Sequence, residues 1–239
     1  MNKLIQFLGH FLRAKTRHGT HSPFVYALVD RCIYQNIEIP EEVKKHFERL
    51  KQSNKKLVGM DFGKGSKMSY RVADMARKSA SMNFETDLLS RLARYHGAQS
   101  FLELGSNLGK SAAHVASVNS QMKVVGIEGM KSLAALAMQN IESLNISNVE
   151  IKPTTFDDFF RTNTETFDMI FIDGDHRYQP TLDNYESSKK VLKGEGPIVL
   201  HDIYWSEGMT QAWEKIKADN DATVTIDLFF FGLVYFRKG

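Results

Sequence analysis

The sequence predicts an α/β protein. Its sheet is doubly wound, mostly parallel and seven-stranded, closed by a C-terminal antiparallel hairpin, with an N-terminal helical cap. Three observations predict this. From about residue 100, short apolar runs alternate with helical patterns, the rhythm of crossover units in a sheet covered on both faces. Two β-rich runs at the end, 223–230 and 233–237, meet at Phe231-Gly232, too close for a crossover helix, and therefore pair antiparallel. Residues 1–80 lack that alternation and read as helices separated by loops.

The elements follow in order. Leu4, Ile5, Leu8, Phe11 and Leu12 fall at helical spacing and make one apolar face. Such a face needs cover from the body or from a second subunit, so a homodimer is an expected partner arrangement. Ser22-Pro23 supplies an N-cap and a proline at the first helical position. A further helix starts at Pro40-Glu41-Glu42, with acids in its first turn. Asp61-Phe62-Gly63-Lys64-Gly65-Ser66 is a glycine-punctuated loop, and helical patterns resume at 70–80 and 84–95. Strands are expected near 100–104, 123–128, 149–152, 167–173 and 197–202. Helices are expected near 109–119, 131–144, 155–161, 179–192 and 206–219. The domains implied are a cap or lid over 1–80 and a sheet domain over 81–239.

At 42% hydrophobic and 25% charged, the composition is that of a soluble globular chain. No apolar run reaches the ~20 residues needed to cross a bilayer. A single cysteine, Cys32, excludes an internal disulfide and points to a reducing cytoplasm. It sits in an apolar helical pattern, as a core residue would. Residues 1–80 carry 16 Lys/Arg against 7 Asp/Glu, while the remainder is net acidic.

The chemistry concentrates at strand ends, where open α/β sheets bind ligands. Phe101-Leu102-Glu103-Leu104-Gly105-Ser106-Asn107-Leu108-Gly109-Lys110-Ser111 reads as a buried strand, a glycine turn and a helix start. A dinucleotide site has glycines at the first, third and sixth positions. Here they are four apart and follow the acid Glu103, which a diphosphate would disfavour and a ligand with an ammonium group would accept. S-adenosylmethionine is such a ligand. Glu128 and Gly129 end the next strand, where a carboxylate can accept both ribose hydroxyls. Thr155 and Phe156 follow the third strand. Phe171-Ile172-Asp173-Gly174-Asp175-His176 ends the fourth with an oxygen-rich tip and an imidazole able to take a proton near neutral pH. His201-Asp202 ends the fifth, with Tyr204 and Trp205 beyond it as a candidate aromatic wall.

Together, Glu103 to Gly109, Glu128, Phe171 to His176 and His201 to Ser206 resemble the class I S-adenosylmethionine-dependent methyltransferases. Within them the chain resembles the catechol O-methyltransferase-like small-molecule O-methyltransferases. The N-terminal segments 17–24 and 61–66 resemble a group of uncharacterised bacterial methyltransferases. The resemblance implies a Rossmann-like methyltransferase domain. Cofactor contacts are expected at Glu103, Gly105, Ser106, Asn107, Gly109, Ser111, Glu128, Gly129, Thr155, Phe156, Asp173 and Gly174, and catalysis at Asp173, Asp202 and His176, the last on its own chemistry because the relatives commonly carry a lysine base at that position. In metal-dependent relatives, positions matching Asp173 and Asp202 bind a divalent cation, Mg or Mn. Here Ile203 replaces an asparagine ligand and removes one oxygen. The expected function is O-methylation of a small hydroxylated acceptor. The alternatives are a nucleic-acid methyltransferase gripping through the basic N-terminal block, and a cofactor-binding protein without catalysis. The Ile172-Asp173-Gly174-Asp175 tip disfavours the first.

Overall fold

The computed structural model describes residues 3–14, 22–61, 66–78 and 83–237. The N-terminal part comprises α1 (Lys3–Arg13), α2 (Pro23–Leu28), a π-helical turn (Val29–Ile33), α3 (Glu41–Leu50), β1 (Lys56–Asp61), β2 (Ser66–Arg71) and α4 (Val72–Lys78). Then follow α5 (Asn83–Tyr95), β3 (Ser100–Leu104), α6 (Lys110–Ser117), β4 (Lys123–Ile127), α7 (Lys131–Ser143), β5 (Val149–Lys152), α8 (Phe156–Thr162) and β6 (Met169–Ile172). The chain ends in α9 (Tyr178–Val191), β7 (Ile198–His201), α10 (Glu207–Lys217), β8 (Val224–Asp227) and β9 (Phe231–Tyr235).

Among the described residues the main sheet has seven strands, in the order β5-β4-β3-β6-β7-β9-β8. β3, β4, β5, β6 and β7 pair in parallel, while β9 runs antiparallel to both β7 and β8. The order reverses beside β3, so the tips of β3, β4 and β6 open a crevice there. Strand alternation sends Phe101, Val124, Phe171 and Val199 into one apolar layer and Leu102, Val125, Ile170 and Leu200 into the other. Glu103, Asp173 and His201 share the parity of the first set.

The C-terminal hairpin forms, but its turn is not at Phe231-Gly232. The chain reverses over 228–230, where Phe229 has φ 69° and its N–H donates to Asp227 Oδ1 at 2.9 Å. Gly232 lies inside β9. A Cβ there would stand 2.6 Å from the Trp213 ring, so this glycine serves close packing and not a turn.

The N-terminal block also departs from the all-helical expectation. β1 and β2 form an antiparallel hairpin, with Lys56 opposite Arg71 and Asp61 opposite Ser66. Tyr70 is therefore a strand residue, and the helix expected from 70 begins at Val72. The signal for a hairpin was present, two short runs joined by a brief glycine-containing segment. Of the expected 61–66 loop, residues 62–65 lie outside the described residues, as does most of 17–24.

Ser22 caps α2, accepting from the Val25 N–H at 3.4 Å. Leu28, Cys32, Val43, Phe47, Leu57 and Val72 are buried in the same apolar core as Leu88, Phe101 and Val124. Burial pushes the Cys32 thiol up to about 11, which keeps it protonated and unreactive. In α1, Phe7 meets Phe229 edge-on at 5.1 Å, and His10 Nδ1 lies 3.1 Å from Asp227 Oδ1. Leu8, Phe11 and Leu12 remain exposed; the side chains of Leu4 and Ile5 lie outside the described set. No described helix is long and apolar enough to cross a membrane.

Candidate functional site

The strand tips border a cleft of ≈ 660 Å³. That is within the range of about 300–1,000 Å³ common for small-molecule sites. Gly105, Asn107, Glu128, Gly129, Thr155, Phe156, Asp173, Gly174 and His176 line it. Gly105 makes the floor possible. Its φ is +100°, and a Cβ there would stand 2.2 Å from the Asp173 carbonyl oxygen. Both the backbone conformation and the strand crossing demand glycine. Gly174 admits the Phe156 ring in the same way, with a Cβ position only 2.6 Å from its Cζ.

Glu128 is held at the tip of β4 by two backbone donors. The Asn107 N–H reaches its Oε2 at 3.0 Å and the Met130 N–H its Oε1 at 2.9 Å. These bonds fix the carboxylate at the cleft edge. Thr155 caps α8, accepting from the Asp158 N–H at 3.2 Å, and so sets Phe156 as the first residue of that helix.

Glu103, Ser106, Gly109 and Ser111 lie beneath the turn and do not line the cleft. Glu103 is fully buried and accepts a hydrogen bond from the Ser111 hydroxyl, while its Oε2 is unpartnered. Burial raises its carboxyl to about 7, against the opposing Ser111 and Ser106 hydroxyls and with help from Asp173 and Glu128. The Ser106 side chain packs against Gly126 of β4, and Gly109 (φ +81°) lets α6 approach Ala137 and Ile141 of α7. These four residues support the turn that carries Gly105 and Asn107 to the cleft.

The far end of the cleft is a charged cluster. His201 Nδ1 lies 2.8 Å from Asp173 Oδ1, and His176 Nε2 lies 3.5 Å from the same oxygen. His201 Nε2 lies 3.4 Å from Glu85 Oε2, a buried acid of α5. Burial disfavours charge on His201, but the charge and hydrogen bond of Asp173, with Glu85 and Asp202, outweigh it and raise its pKa well above the ordinary value. Asp173 responds in kind. Burial pushes its carboxyl up, yet His201 and His176 hold it down at about 2.

Asp173, His176 and His201 each offer a ligand atom within 4.8 Å of one another; Asp202 falls outside that group. Asp202 takes a left-handed backbone (φ 52°) as the chain leaves β7, and its Oδ2 is 3.7 Å from His201 Nδ1. The expected meeting of Asp173, His176 and Asp202 is thus centred on His201 instead. Strand parity explains it, since Asp173 and His201 face the same side of the sheet. A divalent cation at these three atoms would compete with Asp173 and Glu85 for the His201 ring, and Ile203, fully buried, offers it no oxygen.

Sequence reading missed Glu85, because nothing in its helix marks it as a partner of a residue more than a hundred positions away. Tyr204 and Trp205 do not line the cleft. Tyr204 stacks on Phe229 at 5.4 Å and donates to Asp227, and Trp205 is exposed. Tyr70 and Met75, from the N-terminal block, do line it.

This strand order, with a glycine turn over an acid-edged cleft at the strand tips, defines the Rossmann-like fold of class I S-adenosylmethionine-dependent methyltransferases. Residues 102–203 match the family model of a methyltransferase domain. An uncharacterised protein of Acanthamoeba polyphaga mimivirus is 33% identical over 90 residues, 35% of this chain and 40% of that protein. The matched stretch thus spans less than half the length of this curated relative.

Solved structures share the fold. A Podospora anserina methyltransferase bound to S-adenosylhomocysteine superposes with TM-score 0.67 at 12% identity, over 92% of this chain and 97% of that one. A Bacillus cereus O-methyltransferase, also with S-adenosylhomocysteine, gives 0.55 at 22% identity over 69% and 89%. The Streptomyces achromogenes O-methyltransferase of tomaymycin synthesis, with S-adenosylmethionine, gives 0.57 at 18% over 83% and 96%. A structure described as a putative caffeoyl-CoA O-methyltransferase from Staphylococcus aureus shares the fold too, with TM-score 0.59 at 19% identity over 69% and 91%.

Proposed function

We propose that this protein is an S-adenosylmethionine-dependent methyltransferase that methylates a hydroxyl of a small molecule. One observation carries the reading: a single cleft has Glu128, fixed by two amides, at one edge and the Asp173–His176 pair at another. The residues suit the cofactor. Glu128 would accept the ribose hydroxyls, Phe156 would offer the adenine a flat apolar face, and the Gly105–Asn107 turn would approach the amino-acid end. Five acids line the cleft, Glu128, Asp157, Asp173, Asp175 and Asp183, against one arginine, Arg177, which pairs with Asp175; this balance suits a sulfonium ligand and disfavours a polyanion. That weighs against nucleic acid despite the basic N-terminal segment.

When bound, the cofactor supplies an electrophilic methyl group, so the chain's own tasks are alignment and proton handling. His176 would take the proton of the acceptor hydroxyl. Asp173, kept ionised by His201, would steady the imidazolium so formed. We read this as a metal-independent route, with the His201 ring turned to Asp173 and Glu85 and Ile203 standing where the metal-dependent relatives have a ligand. Residues 1–80 serve in this reading as a cap beside the cleft over a catalytic body beginning near residue 81.

Calorimetry with S-adenosylhomocysteine tests the cofactor assignment. A screen of hydroxylated metabolites with methyl-labelled cofactor tests the activity. Absence of S-adenosylhomocysteine binding by the folded protein would overturn the proposal.

A further inference from the structure

The N-terminal hairpin does more than cover apolar surface. Tyr70, at the end of β2, and Met75, in α4, line the same cleft as Glu128, Met130 and Leu133. Two contacts lock the hairpin there. The Ser132 hydroxyl, in the first turn of α7, donates to the Val58 carbonyl at 3.1 Å. Gly59 of β1 lies so close to Met130 that a Cβ would stand 2.4 Å from its Cγ and 2.7 Å from its Sδ. Any larger residue at 59 would have to displace Met130 or lift the strand.

Met130 is also the residue whose N–H holds the Glu128 carboxylate at 2.9 Å. One residue therefore touches the hairpin with its side chain and the ribose-end acid with its backbone. The hairpin is anchored from below as well. Leu57, Val72, Ala73 and Ala76 are all buried. Within the hairpin, the Tyr70 hydroxyl donates to Met68 Sδ at 3.4 Å, which helps to set the ring.

We propose that this hairpin and the α4 that follows it are part of the cofactor site, with Tyr70 and Met75 forming a wall of the cleft against the adenosyl group. The inference rests on the cofactor reading above and adds residues that the sheet domain does not contain. The chemistry suits the task. A purine and its ribose present flat, weakly polar surface, which an aromatic ring and a polarisable thioether pack against well. Many of the other cleft groups are acidic or backbone, so apolar contact comes from Tyr70 and Met75 together with Met130, Leu133, Phe156 and Pro180.

The test is calorimetry of S-adenosylhomocysteine on the full chain, with circular dichroism to verify each fold. Tyr70→Ala and Met75→Ala should each weaken binding on the order of tenfold, the scale of removing one apolar contact of this size. Tyr70→Phe, which keeps the ring, should recover most of the loss. Gly59→Val adds nothing to the cleft lining itself but presses on Met130, a cleft residue, and should weaken binding by displacing it. In hydrogen exchange, S-adenosylhomocysteine should slow the amides of β1 and β2. If the wild type binds, Glu128→Ala weakens binding, and the Tyr70, Met75 and Gly59 variants bind as the wild type does, the hairpin is not part of the site, although the cofactor reading stands. If the folded wild type does not bind at all, the underlying reading fails with it.

Discussion

His201 Nδ1 stands 2.8 Å from Asp173 Oδ1, joining the tips of β7 and β6 across the buried end of the cleft. The same ring turns Nε2 toward Glu85 at 3.4 Å, so one imidazole is shared by acids from a helix and a strand tip. A charged imidazole between buried Glu85 and half-buried Asp173 holds the cluster together, because removing it would leave both acids without their shared counter-charge.

His201→Ala should therefore destabilise the protein by about 3–5 kcal/mol, the cost of breaking a buried ion pair. Urea denaturation measures it. The pH dependence has a definite sign. Asp173, depressed to about 2, contributes stability above its unfolded value that is lost as pH falls through 2. His201, raised, contributes stability below its unfolded value that is lost as pH rises through its folded pKa. The wild-type advantage should thus be widest between about pH 4 and 6.5, the two unfolded values. An advantage that stays flat from pH 4 to 10 would contradict the charged pair.

Glu103 has the opposite consequence. Its carboxyl is raised to about 7, first by burial. The folded state favours the neutral acid, so stability is fully present below the unfolded value and declines as pH rises through 7. Glu103→Gln keeps the shape and removes the charge. It should be more stable than the wild type at pH 8, on the order of 1–3 kcal/mol, with the gain vanishing below about pH 4. Thermal melts at both pH values decide it, and an equal gain at the two would point to packing instead of ionisation.

Glu128→Ala should weaken S-adenosylhomocysteine binding by about 1–3 kcal/mol, the scale of charge-assisted hydrogen bonds. Calorimetry reads this directly. Unchanged affinity in a folded variant would reject the ribose assignment.

His176→Ala should lower methyl transfer to an identified acceptor roughly a hundredfold or more, as loss of a general base does. A chelator should leave wild-type turnover intact. Turnover abolished by chelator and restored by magnesium or manganese would show a metal route, and would return Asp173 and Asp202 to the role of ligands. If neither treatment matters, the catalytic centre lies elsewhere.

Much of this was legible in one dimension. The alternation of apolar strands with helical patterns located each strand and helix of the main sheet domain to within a few residues. Gly105 and Glu128 were readable because a strand-turn-helix unit puts them at a cleft wherever it occurs. Gly232 was misread as a turn, since a glycine required by a neighbouring Trp213 ring looks no different in sequence from one required by φ. The β1–β2 hairpin carried a signal in its short glycine-containing connection, but the helical patterns on both sides masked it.

The sequence by itself determined the sheet, its antiparallel edge and the strand-tip positions of Glu128, Asp173 and His176, because strand period and glycine turns are local properties. Only the tertiary structure decided that His201 and not Asp202 meets Asp173, that Glu85 closes the cluster, and that Tyr70 and Met75 reach the cleft. Those relationships join residues far apart in the chain. They depend on which faces pack together, and that choice is made by burial of the whole core, not by any local pattern.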